Sequence, residues 1–321
     1  MKAQEIKNIT CIGSGVIGYS WALYFSLKNL FTVVYDISDE ALQLAQKRVS
    51  SSLEQLVKNN VISKEESQNI EKRIIYTTDM KKAVTDAEFI VESAPEDYEI
   101  KRNIVKEIED YGKSDAIIVS STSGLLITEI AKYAKYPERF IGAHPYNPPH
   151  LIPLVEITKG EKTSDEVIEI AKNFYKQIGK EPIVLQKEAL GFICNRIQMA
   201  LYREVCDLVM RGVCTIEDAD KAVTYGPGLR WGIMGPSLVF QLGGGEHGIE
   251  GIMKHLMPSI NLWLNDMADF KEFPPAFTEV AKQGVNEEIK NRDASIGNDN
   301  KSLAEYRDKM LIELLKLHNK L

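Results

Sequence analysis

Six residues near the start of the chain are spaced to hold a phosphate. Gly13, Ser14, Gly15, Val16, Ile17 and Gly18 follow the apolar run 9–12 and open a helical pattern. This G-x-G-x-x-G order, set between a strand and a helix, predicts a dinucleotide-binding turn. Gly13 permits the tight turn, Gly15 lets the backbone approach a pyrophosphate, and Gly18 lets the helix pack on the strand. Val16 and Ile17 lie in the first helical turn, whose free N–H groups and positive dipole end suit phosphate oxygens. Asp36 ends the next β-branched run, after Val33, Val34 and Tyr35. A carboxylate about 20 residues beyond the glycines accepts hydrogen bonds from the adenosine ribose hydroxyls. It also repels the extra phosphate of NADP, so NAD is the expected cofactor. The alternatives are that Asp36 merely caps the next helix, and that the nucleotide is a flavin.

Oxidising an alcohol with a nicotinamide requires a base for the hydroxyl proton. The chain has five histidines, and His144 ends the run 140–143. That places it at the carboxyl edge of a sheet, where open α/β folds bind ligands. Taken alone, His144 reads equally well as a buried structural histidine. Its surroundings are suggestive: His144, Pro145, Tyr146, Asn147, Pro148 and Pro149 lead into Leu154, Val155, Glu156 and Ile157. Upstream runs Ser120, Ser121, Thr122, Ser123, Gly124 and Leu125; downstream runs Gly191, Phe192, Ile193, Cys194, Asn195 and Arg196.

Positioning these residues calls for strands alternating with helices. Strands are expected at 7–12, 31–35, 74–77, 89–93, 116–120 and 140–143, with late edge strands at 155–157 and 182–185. Helices are expected at 15–28, from a Ser38 cap to about 59, from a capping box at 63–66, and at 98–111 and 165–178. The alternation predicts an α/β, Rossmann-like N-terminal domain with a mostly parallel sheet. Beyond Lys187 the pattern turns helical, beginning with 192–211. The expected division is therefore an NAD-binding domain, 1–187, and an all-helical substrate and dimerisation domain, 188–321. Helices apolar on more than one side suggest a homodimer.

These motifs resemble the 3-hydroxyacyl-CoA dehydrogenase family, in the family's order and over essentially the whole chain. The resemblance implies an NAD-dependent oxidoreductase acting on CH–OH groups, by reversible hydride transfer between an L-3-hydroxy acid or acyl group and its 3-keto form. It implies that His144 is the general base, with Glu156 fixing the imidazole tautomer and stabilising the imidazolium. It implies that Ser123 and Asn195 bind the reacting oxygen, and that the second domain closes over the substrate. Glu96, Lys101 and Asn147 match the family's contacts around the nicotinamide ribose. The bland alternatives are a turn residue for Ser123, a helix cap for Asn195, and an exposed charge pair at a helix start for Glu96 and Lys101.

One departure bears on the substrate. Pro145 stands where the family's acyl-CoA branch usually has a second aromatic residue after the histidine. Arg230 and Trp231, within the segment 226–236, resemble the branch containing L-carnitine dehydrogenase and L-gulonate 3-dehydrogenase, the lambda-crystallin relatives. The segment 243–248 leans toward the carnitine side. Arg230 would clamp a free carboxylate, and Trp231 would face a quaternary ammonium or pack on substrate. The alternatives are that Arg230 ties down a loop and Trp231 sits in the core. A CoA thioester, such as 3-hydroxybutyryl-CoA, is the alternative substrate. A non-catalytic NAD-binding or structural protein is the alternative outside enzymology, but Ser123, His144, Glu156 and Asn195 are all present.

Composition narrows the partners. The net charge of −7 disfavours nucleic acid, which needs a positive surface. No run is apolar for long enough to span a bilayer, and the first residues show no secretory signal, so a cytoplasmic protein is expected. Cys11, Cys194, Cys206 and Cys214 suit neither a zinc site nor a disulfide framework, so no metal is expected and Cys194 reads as a buried thiol.

Overall fold

A computed structural model describes residues 2–321. In chain order the first part forms β1 (Asn8–Ile12), α1 (Val16–Leu27), β2 (Phe31–Tyr35), α2 (Asp39–Lys58), α3 (Lys64–Glu71), β3 (Ile74–Thr77) and α4 (Met80–Val84). It continues with β4 (Phe89–Glu92), α5 (Tyr98–Tyr111), β5 (Ile117–Ser120), α6 (Ile127–Ile130), β6 (Phe140–Pro145), β7 (Leu154–Lys159), α7 (Asp165–Gln177) and β8 (Glu181–Val184). The later elements are α8 (Cys194–Met210), α9 (Ile216–Tyr225), α10 (Pro227–Trp231), α11 (Pro236–Gly243), α12 (Gly248–Asp266), α13 (Phe277–Asn291) and α14 (Asn300–Leu317).

The eight strands make one sheet in the order β3-β2-β1-β4-β5-β6-β7-β8. Strands β1 to β6 are parallel, β7 runs antiparallel to β6, and β8 is parallel to β7. This is the Rossmann-like sheet the alternation predicts. The expected caps form: Ser38 accepts from the Ala41 N–H, and Ser63 and Glu66 complete a capping box. One expectation is corrected. Residues 155–157 are not in an edge strand, because β7 lies between β6 and β8 and is buried along its middle. Their apolar alternation was legible; the antiparallel return that brings β7 inside the sheet was not, because pairing is a long-range choice.

Strand parity divides the core between the two faces. Cys11, Phe89, Val91, Ile117, Val119, Ile141, Val155 and Ile157 pack with α1 and α7. Helix α1 is enclosed on several sides: Trp21 stacks on Phe25 at 5.1 Å, and Phe174 and Tyr175 of α7 close over them. On the other face Ile12, Ile90, Ile118 and Phe140 meet Ala83 and Val84 of α4 and Val105 and Ile108 of α5. A residue of even number at the end of β4, β5 or β6 therefore points toward the α5 face.

The chain divides into two compact units, residues 1–195 with 305–321, and 196–304. This partition differs from a linear cut near 187, because Ile312 and Leu315 return to bury against Leu56 and Leu151 of the first unit. The second unit, like the rest of the chain after β8, is helical. Its own core gathers Cys206, Ile216 and Phe277. No helix among the described residues is long and apolar enough to cross a membrane.

Candidate active site

The glycine turn follows β1. Gly13 has φ +88°, a left-handed conformation, and a Cβ there would lie 2.8 Å from the Ser93 carbonyl oxygen. A Cβ on Gly18 would sit 1.8 Å from the Gly13 oxygen, so α1 could not pack against the turn. Gly15 is different: a Cβ there would meet no atom within 4 Å. Protein packing does not demand glycine at that position, which suits close approach of a ligand instead. Gly15 caps α1, and Val16 and Ile17 begin its first turn.

Asp36 faces this turn. Its Oδ2 accepts from the Ser14 N–H at 2.8 Å and the Ser14 hydroxyl at 2.7 Å, while Oδ1 accepts from the Ile37 N–H. It does not cap α2; Ser38 does. The carboxylate is thus held beside the glycine turn, where an adenosine ribose contact requires it.

His144 and Glu156 are direct cross-strand partners in the β6–β7 pair. Both side chains are buried, and His144 Nδ1 lies 2.8 Å from Glu156 Oε2. The other carboxylate oxygen accepts from the backbone N–H groups of Ile193 and Cys194, at 2.9 and 3.0 Å. Burial raises the Glu156 carboxyl, but the hydrogen bonds from His144 and the two amides outweigh it and hold it below the ordinary carboxylate range. An ionised Glu156 can only accept, so Nδ1 donates to it, and in the neutral imidazole the lone pair is then on Nε2.

The turn into α8 completes this pocket. Gly191 and Phe192 have φ +72° and +50°, and Phe192 packs its ring 5.7 Å from His144, centroid to centroid. This left-handed pair explains why α8 starts at Cys194 and not at 192 as its apolar spacing suggests. Burial pushes the partly buried Cys194 thiol up to about 12, with Glu156 adding to the shift, which makes it a poor nucleophile.

Ser123 and Asn195 are also brought together, by backbone. Asn195 Nδ2 donates to the Ser123 carbonyl at 2.8 Å, and its Oδ1 accepts from the Tyr146 hydroxyl at 3.4 Å. The Tyr146 ring stands edge-on to His144 at 5.6 Å, which links the two pairs. Ser123 is exposed, as is Asn147. Tyr146 was quoted in the sequence motif without a role; only the fold shows that it joins His144 to Asn195.

Glu96 and Lys101 do not form an exposed pair. Lys101 is 1% exposed, and its Nζ lies 2.8 Å from Glu92, with Glu96 at 3.5 Å. Glu96 Oε1 accepts from the Thr122 hydroxyl at 2.5 Å and the Ser123 N–H at 2.8 Å. Glu92 is a buried carboxylate beside these residues that sequence reasoning passed over. A signal was available: it is an acid ending a strand whose other residues, Phe89, Ile90 and Val91, are apolar.

Arg230 and Trp231 belong to the second unit, on α10. Trp231 is 42% exposed, and Arg230 is exposed with no ion pair among the described residues. Neither the core alternative for Trp231 nor the loop-tying alternative for Arg230 is realised.

Comparison with known proteins follows the same lines. Residues 8–189 match the NAD binding domain of 3-hydroxyacyl-CoA dehydrogenase, and residues 191–278 match its C-terminal domain. The chain is similar to an L-carnitine dehydrogenase of Bacillus cereus, 36% identical over 100% of this chain and 95% of the relative. It is 34% identical to a 3-hydroxyacyl-CoA dehydrogenase of Gibberella moniliformis, over 99% of this chain and 97% of that one. Among solved structures it resembles an NAD+-dependent dismutase, the 5-dehydrogenase of 5-formyl-3-hydroxy-2-methylpyridine 4-carboxylic acid. That match has a TM-score of 0.79 and 28% identity, and covers 98% of this chain and 97% of the other.

Proposed function

The chain belongs to the 3-hydroxyacyl-CoA dehydrogenase family, and from that premise we propose that it oxidises the hydroxyl on the third carbon of a free acid such as L-carnitine or L-gulonate. It is an NAD-dependent oxidoreductase acting on CH–OH groups. The observation that carries the catalytic reading is the 2.8 Å contact between buried His144 and Glu156 at the carboxyl edge of the sheet.

Gly13, Gly15, Val16, Ile17, Gly18 and Asp36 would hold the adenosine diphosphate half of NAD, and Glu96, Lys101 and Asn147 would lie toward its nicotinamide half. The open side of Gly15 fits that assignment. Bound NAD supplies the hydride acceptor. The chain's own part is the proton: His144 Nε2 takes it from the substrate hydroxyl, and Glu156 stabilises the imidazolium that results. Ser123 and Asn195 hold the oxygen as it becomes a carbonyl; Asn195 would exchange its bond to the Ser123 carbonyl for the substrate. In reduction the same imidazolium returns the proton to the forming alkoxide.

The substrate reading rests on Arg230 and Trp231, a guanidinium and an indole face exposed in the helical unit. A bidentate guanidinium selects a free carboxylate, and an indole face suits a quaternary ammonium. The name of the Bacillus cereus relative supports the same class. The same unit exposes Leu262, Trp263 and Leu264 on α12 and Leu238, Phe240 and Leu242 on α11. That much apolar surface supports a homodimer through these helices. A cytoplasmic setting fits the four free thiols.

NADH formation from L-carnitine, L-gulonate, L-3-hydroxybutyrate and L-3-hydroxybutyryl-CoA tests the proposal. The expected result is a higher kcat/KM on a free acid than on the thioester. Preference for the thioester would overturn the free-acid reading and remove Arg230 from substrate recognition.

A further inference from the structure

The buried charges beside Ser123 have a centre that the mechanism above does not use. Glu92 ends β4, and its parity with Ile90 turns its side chain toward the α5 face, where Lys101 sits. The two side chains are each 1% exposed. Lys101 Nζ donates to both Glu92 oxygens, at 2.8 and 3.1 Å, and to the Ala94 carbonyl at 3.1 Å. Glu92 Oε1 also accepts from the Ala94 N–H, and Oε2 accepts from the Ser120 hydroxyl, both at 2.6 Å. The Ser120 hydroxyl in turn accepts from the Thr122 N–H at 3.3 Å. Glu92 therefore holds the turn that carries Ser123 directly at Ser120, and shares Lys101 with Glu96, the carboxylate on Thr122 and Ser123.

We propose that Glu92 is a positioning residue for the reaction, taking the Lys101 hydrogen bonds so that Glu96, which meets the ammonium only through Oε2 at 3.5 Å, is not drawn off Thr122 and Ser123. One ammonium stands between two carboxylates. It makes hydrogen bonds at 2.8 and 3.1 Å to Glu92 but lies 3.5 Å from Glu96. With Glu92 carrying the ammonium, Glu96 turns Oε2 toward Lys101 and keeps Oε1 on the Thr122 hydroxyl and the Ser123 N–H. If the charge at position 92 is removed, Glu96 is the one carboxylate among the described residues left within ion-pair reach of Lys101. A buried unpaired ammonium is costly, so Glu96 is drawn onto it. The Thr122–Ser123 turn loses its two anchors, and the hydroxyl assigned to the reacting oxygen loses its place. This inference rests on the assignment of Ser123 and His144 above.

Glu92→Gln keeps the shape and removes the charge. The account expects kcat to fall about 10- to 100-fold, while the dissociation constant for ADP-ribose stays within about 2-fold. ADP-ribose reads the glycine turn and Asp36, so it separates loss of position from loss of fold. Glu92→Asp should recover part of the lost kcat. The decrease should be non-additive with Glu96→Gln, because both act on the same turn. A kcat within about 2-fold of the parent, parallel loss of ADP-ribose binding, or full additivity with Glu96→Gln would each overturn the proposal. His144→Ala, measured alongside, keeps the two readings distinct. If that variant turns over normally, the site assignment itself fails; if it is dead while Glu92→Gln is normal, only the role of Glu92 fails.

Discussion

The first compact unit keeps its titratable centre, His144, Glu156, Glu92 and Lys101, buried and partnered; the helical second unit shows the solvent what it would recognise with. In the first, Glu92, Lys101, Glu156 and His144 are all nearly inaccessible, and each has a named hydrogen-bond partner. In the second, Trp231, Trp263 and Phe240 are between 42% and 59% exposed. Saturated buried polar groups hold one geometry, because any displacement leaves a donor or acceptor unpaired. Exposed groups are held by little until a ligand or partner orders them. Under the proposed function, that difference would put the reaction in the first unit and the choice of substrate in the second.

That division predicts where kinetic damage appears. A change at Glu156 should strike kcat. Glu156→Gln removes the charge that sets the His144 tautomer and steadies the imidazolium, and kcat at pH 7 should fall about 100- to 1,000-fold in steady-state assays. A fall in kcat/KM caused by KM alone would break the comparison. A change at Arg230 should do the reverse. Arg230→Ala should raise KM for a free hydroxy acid about 10-fold and leave kcat within about 3-fold. An unchanged KM would take Arg230 out of the substrate site and blur the proposed division.

The smallest effect is on acid stability. The Glu156 carboxyl is held below its ordinary range in the fold. A depressed acid stabilises the fold above its unfolded pKa, about 4.3, and loses that contribution as pH falls through the folded value. The melting temperature of Glu156→Gln should therefore lie below the parent's at pH 7 and approach it below about pH 4. A constant gap across that range would mean that the carboxylate's hydrogen bonds add nothing specific to its charged state.

What could be read from the chain itself follows the range of the interactions. The glycine turn, Asp36 and the caps at Ser38 and Ser63 are local, and each appears where its spacing places it. The His144–Glu156 pair was legible only through family resemblance. Its geometry depends on the antiparallel register of β6 with β7, which no local pattern encodes. The same holds for Asn195 on the Ser123 carbonyl, a contact spanning 72 residues. Glu92 was hidden for another reason: an acid at a strand end looks like a solvated terminus until α5 is seen to cover it with Lys101. The late start of α8 was missed because a phenylalanine at positive φ violates the usual rule, and Phe192 adopts it while packing on His144.

The most direct test of the central claim is single-turnover NADH formation by His144→Ala, measured with NADH binding to the same variant. The account predicts that NADH binds within about 3-fold of the parent affinity while hydride transfer slows by about 100- to 10,000-fold, the range a general base supplies. Transfer at near-parental rate with intact NADH binding would contradict it, because the base would then lie elsewhere.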